Sequence, residues 1–113
     1  MKKILFIGLI LATLFACESK NGTIIGTAQA TKDGTAVLSG ITVNLYTQGA
    51  ELFKTTTTDS EGNFTFNDLE SDNYYISATI VTGGDTYDTG KTPMIVYVND
   101  KIVKEIALSL SKR

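Results

Sequence analysis

The residue types able to do chemistry in this sequence are few. The 113-residue chain has no His, no Trp and a single Cys, Cys17. Without imidazole or a second thiol there is no ordinary zinc site, no Ser/His/Asp triad, no Cys/His dyad and no intrachain disulfide. Catalysis would rest on carboxylates alone or on a Ser/Lys pair. Asp59, Glu61 and Asn63 alternate like oxygen ligands for Ca²⁺. An EF-hand-type loop, however, wants its Gly after the third ligand and a bidentate Glu further on. Here Gly62 falls between the second and third positions and no such Glu follows, so the segment reads as a solvated hairpin turn. Asp85 and Asp88 lie in the longest predicted loop, residues 83–92, and could add oxygens only to a distant partner. Glycoside chemistry needs two acids in one cleft, and every acid beyond Cys17 except Glu105 falls in a predicted turn or strand end. No enzyme activity, metal or cofactor is expected.

Tyrosines offer a binding signal instead. Tyr46, Tyr75, Tyr87 and Tyr97 are not all needed by the core pattern, and an exposed Tyr can stack on a sugar or anchor a protein contact. Tyr87 is the first candidate ligand-binding residue, because the loop 83–92 holds no other apolar side chain to tie it down. Tyr75 is the second, because it faces away from Tyr74. Exposed Tyr gathered in a groove would favour a glycan partner, whereas a flat or edge-strand patch would favour a protein. A nucleic-acid partner is not expected. Ten basic minus twelve acidic residues gives −2, and loss of Lys2 and Lys3 would bring this to −4, without the basic stripe that phosphate backbones require.

The N-terminus reads as an address. Lys2 and Lys3 precede thirteen mostly apolar residues, 4–16, too short a run to cross a bilayer comfortably and laid out as a secretory signal. It ends in Leu14-Phe15-Ala16-Cys17, which resembles the lipobox of bacterial lipoproteins. That resemblance implies cleavage after residue 16 and lipidation of Cys17, the new N-terminus. Buried acyl methylenes contribute about 0.8 kcal/mol each, so two or three chains make a durable membrane anchor.

What must position the side chains is a set of strands. Turn formers recur every eight to twelve residues, and the alternation between them predicts strands over 23–30, 41–46, 52–57, 63–69, 74–81, 94–98 and 101–110. Val43 and Leu45 share a face, as do Phe64 and Phe66, and Tyr74, Ile76, Ala78 and Ile80. Thr42, Asn44, Thr65, Tyr75, Ser77 and Thr79 point the other way. One packed face and one wet face, repeated over seven short strands, predict an all-β, antiparallel two-sheet sandwich of the prealbumin-like or Ig-like kind. The expected organisation is a signal peptide at 1–16, a lipidated tether at 17–21 and one domain at 22–113.

Ile25-Gly26-Thr27-Ala28, Asp33-Gly34, Ser39-Gly40-Ile41-Thr42-Val43-Asn44-Leu45 and, above all, Thr58-Asp59-Ser60-Glu61-Gly62-Asn63-Phe64-Thr65-Phe66, followed by Leu69 and Tyr74, resemble the carboxypeptidase regulatory-like domain family. The resemblance implies a prealbumin-like sandwich of the bacterial surface or envelope. Its motif residues have structural reasons: Asp59 and Gly62 make the turn, while Phe64, Phe66 and Leu69 fill the core. The expected function is a non-catalytic, lipid-anchored envelope module, most naturally of the outer membrane, that binds a protein or glycan partner. The alternative is an oligosaccharide-binding accessory lipoprotein of outer-membrane nutrient uptake.

Overall fold

The computed structural model describes residues 21–90 and 93–113. The expected signal peptide and Cys17 lie outside them. Nine strands follow in order: β1 (Gly22–Lys32), β2 (Thr35–Val37), β3 (Thr42–Tyr46), β4 (Leu52–Thr57), β5 (Asn63–Leu69), β6 (Asp72–Thr82), β7 (Asp85–Asp88), β8 (Met94–Val98) and β9 (Val103–Lys112). No helix occurs among the described residues.

The strands form two layers. In the first, β1 pairs antiparallel with β2 and β5 along one edge and parallel with β9 along the other. In the second, β3 lies between β4 and β6, and the far edge of β6 carries β8 along residues 72–76 and β7 along residues 79–82. A corner joins the layers, where Tyr87 and Asp88 of β7 pair with Lys112 and Ser111 of β9.

The alternating pattern explains what lies between the layers. Ile24, Ala28 and Ala30 of β1, Phe64 and Phe66 of β5, and Leu108 and Leu110 of β9 face Val43 and Leu45, Tyr74, Ile76 and Ala78, and Val96 and Val98 of the other sheet, all buried. Burying apolar surface drives this arrangement, and the two-residue period decides which residues take part. Gly26 sits on the inner face because Phe64 crosses over it; a Cβ there would come within 2.5 Å of the Phe64 ring.

Polar groups that enter the core are paired. The Tyr74 hydroxyl donates to the Glu70 carbonyl at 2.7 Å, as in the tyrosine corner of Ig-like sandwiches. Among the described residues Thr58 is the one fully buried polar side chain. Its Oγ1 accepts from the Ile41 amide at 2.9 Å and donates to the Leu38 carbonyl at 2.6 Å, tying the β4–β5 link to the entry of β3. Thr58→Val keeps the shape and strands both backbone groups. It is expected to cost about 1–3 kcal/mol in urea unfolding, with Thr58→Ser retaining most of the stability. A valine variant as stable as wild type would contradict this assignment.

The all-β sandwich read from the sequence is the architecture found, with two short strands added and one parallel pair, β1–β9. The addition of β7 overturns one expectation. Residues 83–92 are not one long loop. Gly83 and Gly84 both have positive φ, 61° and 83°, which is the two-residue turn whose twist suits a hairpin. The chain therefore folds back at once, and Tyr87 pairs with Ile80. Tyr87 is buried at 5% exposure and belongs to the core cluster. The expected exposed anchor is a core residue.

Candidate functional site

The other tyrosines singled out by sequence meet on one surface. Tyr75 sits on β6 with its side chain on the face opposite Tyr74 and Ile76. Register places Tyr46 of β3 directly beside it, Leu52 of β4 beyond Tyr46, and Ile95 of β8 on the other side of Tyr75. Tyr97, paired with Asn73, lies one diagonal step away. Opposed residues have Cβ atoms about 4.5–5.5 Å apart, so Leu52, Tyr46, Tyr75 and Ile95 make a row across the whole outer face of the sheet. Its ends are open, with Leu52 59%, Ile95 63% and Tyr97 50% exposed, while Tyr46 and Tyr75 are half-buried.

A bulge places Leu52 in this row. Leu45 pairs with Lys54 and Tyr46 with Leu52, leaving Phe53 as the extra residue. Phe53 turns to the inner side and stacks on Tyr74 at 6.0 Å. Lys54 likewise turns away, its Nζ donating to the Asn67 carbonyl at 3.0 Å. Around the row stand Thr42, Asn44, Thr55, Thr57, Asn73, Ser77 and Thr79, none of them charged. The result is an apolar and aromatic stripe on a polar outer face, whose ion pair, Asp88 with Arg113, lies at the far end beside Thr79. Periodicity alone pointed to Tyr75, but not to Leu52 or Ile95, because neither the register nor the bulge is visible in alternation.

The acids, by contrast, serve the scaffold. Asp59 Oδ1 accepts from the amides of Asn63 and Glu61, both at 2.9 Å. These bonds, Asn63 foremost, hold its carboxyl below the ordinary 3.8. Asp88 accepts from Arg113 Nε and Nη2 at 2.9 and 2.7 Å and from the Gly90 amide at 3.0 Å. The guanidinium is the main reason its carboxyl also titrates below 3.8. Lys112 reaches Asp85 at 3.6 Å, so both acids of this segment pin the corner between the sheets. Among the described residues no group of three His, Cys, Asp or Glu side chains is arranged to hold a metal ion.

The pH dependence follows from these shifts. A carboxylate whose folded pKa is depressed contributes stability that is complete above its unfolded value and lost as pH falls through the folded value. The melting temperature should therefore hold from neutrality down to about pH 4 and drop below it. Asp59→Asn should shrink that acid drop, as read by thermal melts across the acid range. An unchanged acid limb in the variant would contradict the role given to Asp59.

The comparisons with known proteins agree with this architecture. Among solved structures, the chain is similar to the minor pilin of Streptococcus agalactiae, at 16% identity and a TM-score of 0.65 over 85% of this chain and 46% of that one. It is similar to the pilus 2b backbone protein of group B streptococcus, at 14% identity and a TM-score of 0.58 over 81% of this chain and 41% of that one. A candidate carbohydrate-binding protein of Pseudomonas aeruginosa is matched at 18% identity and a TM-score of 0.57, over 81% of this chain and 90% of that one. The chain spans about half the length of the minor pilin. Likeness at these identities shows the fold, and no curated protein sequence matches the chain significantly. The carboxypeptidase regulatory-like resemblance holds as a prealbumin-type sandwich, while the family that matches is a different one. The model of the SdrD B-like domain aligns with residues 17–93, most of the chain, and the protein belongs to that family.

Proposed function

We propose that this protein is a non-catalytic cell-envelope lipoprotein, cleaved after residue 16 and anchored, most naturally in the outer membrane, through lipidated Cys17. Its domain, 22–113, serves as a protein-binding module. The observation that carries the reading is the row Leu52, Tyr46, Tyr75 and Ile95 on the outer face of β4, β3, β6 and β8. Interface cores are depleted of charge and enriched in aromatic residues, and this row has both features. Its place across the open face of a sheet suits a protein partner, and two proteins that share the fold are a minor pilin and a pilus backbone protein.

One observation favours the alternative, an oligosaccharide-binding accessory lipoprotein of nutrient uptake. Three tyrosines lie among hydroxyl and amide side chains, and a candidate carbohydrate-binding protein shares the fold. Tyr46→Ala combined with Tyr75→Ala separates the two readings. Binding to an envelope protein partner should fall by about 2 kcal/mol or more, as at an interface hot spot. The glycan-array signal should stay at background for wild type and variant alike. Retained partner binding would contradict the site, and a wild-type glycan signal lost in the variant would favour the alternative.

The anchor has its own test. Cys17→Ser should abolish lipid labelling and release the protein from the membrane fraction. A variant still wholly in the membrane would mean that the apolar leader holds it there.

A further inference from the structure

The edges of the two sheets are not alike. Beside β6, one lane is filled by β8 along residues 72–76 and by β7 along residues 79–82. The next lane is occupied beside β7, where Ser111 and Lys112 of β9 pair with it. Beside β8 that lane has no strand among the described residues. The vacancy is about five residues long, matching Met94–Val98. Strand edges offer unpaired N–H and C=O groups, and proteins usually blunt them with charge, bulges or brevity. The other edges carry such devices: β4 has a bulge and Lys54, β5 has Asp68 at its own irregularity, β2 is three residues long, and β9, paired on its second side only at Ser111 and Lys112, carries Lys104 and Glu105. The strand β8 reads Met-Ile-Val-Tyr-Val and has neither a charge nor a register shift. Met94, Ile95 and Tyr97 are 39%, 63% and 50% exposed along it.

We infer that β8 pairs antiparallel with β8 of a second copy of this chain. The strand is complementary to itself. With Val96 opposite Val96, Ile95 meets Tyr97 on the outer face and Met94 meets Val98 on the inner face, each contact occurring twice about a two-fold axis, as an isologous interface requires. No charge is buried and no like charges are opposed on the paired strands, whereas an expected net charge of −4 per mature copy disfavours contact through acid-bearing edges. Backbone bonds supply the affinity and alternate side chains the register, as in strand addition generally. The two outer faces then form one continuous sheet, and the apolar row of each copy runs into the other through Ile95 and Tyr97.

Ile95 belongs both to this edge and to the recognition row, so the test reads self-association alone and takes its control from the part of the row away from the edge. The full chain is examined in detergent solution by sedimentation velocity over a range of concentrations. The expected result is a monomer–dimer equilibrium insensitive to salt. Ile95→Lys should raise the dimer dissociation constant about tenfold or more while leaving unchanged the melting temperature of the monomer, read at a concentration well below that constant, since dimerisation itself raises the melting point. Tyr46→Ala, which alters the recognition face two strands away from the edge, should leave that constant within about twofold. A chain that stays monomeric at every concentration overturns the inference, as does a dimer unmoved by Ile95→Lys. Occupation of this edge solely by a strand of another protein, with no self-association, also overturns it.

Discussion

Phe66→Ala is expected to destabilise the domain by about 3–5 kcal/mol, the range for truncating a large buried aromatic. Phe66 is 3% exposed on β5, opposite Ile24 of β1. It meets Phe64 edge to face, with ring centroids 5.9 Å apart, so the truncation loses an aromatic contact as well as buried area. Its position in the alternating strand leaves no wet face onto which the site could open, and sheets hydrogen-bonded on both sides of β1 collapse poorly into a void. Small domains are stable by about 5–15 kcal/mol in total, so the variant should be close to unfolded at physiological temperature. Urea unfolding monitored by circular dichroism gives the value. A loss below about 1 kcal/mol would mean that the inward face of β5 is misassigned.

Gly62→Val is expected to act through the backbone. Gly62 has φ 84°, in the region that β-branched residues resist most strongly. A Cβ there would also lie 2.8 Å from the Ala28 carbonyl oxygen. The clash cannot be relieved locally, because the Ala28 amide donates to the Gly62 carbonyl at 2.9 Å and the Gly62 amide donates to the Asp59 carbonyl at 3.0 Å. The strain at such positions is about 1–3 kcal/mol, to which the contact with β1 adds. Gly62→Asn should be milder, since Asn tolerates left-handed backbone. Thermal melts should therefore rank wild type above Asn and Asn above Val. A Val variant that melts with wild type, or an Asn variant as damaged as Val, would contradict this account of the turn.

The residues that could be read from sequence are those whose role is local. The strands 52–57, 63–69 and 94–98 coincide with β4, β5 and β8, because the turn formers on either side carry their bounds. Asp59 and Gly62 act in the turn as their spacing implies. The short β2 was missed because three residues, Thr35–Val37, show no period. The strand β7 was missed for a different reason. Gly83-Gly84 carries the signal of a tight hairpin, and a hairpin requires a returning strand, so Tyr87 was legible as an inward residue paired with Ile80. The site was legible only in part. Alternation puts Tyr46, Tyr75 and Tyr97 on wet faces, but pairing register decides that they share one face. A bulge that expels Phe53 to the inner side decides that Leu52 joins them. Such non-local facts have no signature in any single strand.

The central claim is that recognition occurs on the outer face of β4, β3, β6 and β8, and not on the outer face of the opposite sheet. A photo-crosslinking amino acid placed at Tyr75, in cells making the otherwise unaltered chain, tests it most directly. The same probe at Gln29, exposed on β1 of the other sheet, is the control. The account predicts a discrete crosslinked product from position 75 and none from position 29. A product from position 29, with none from position 75, would contradict it.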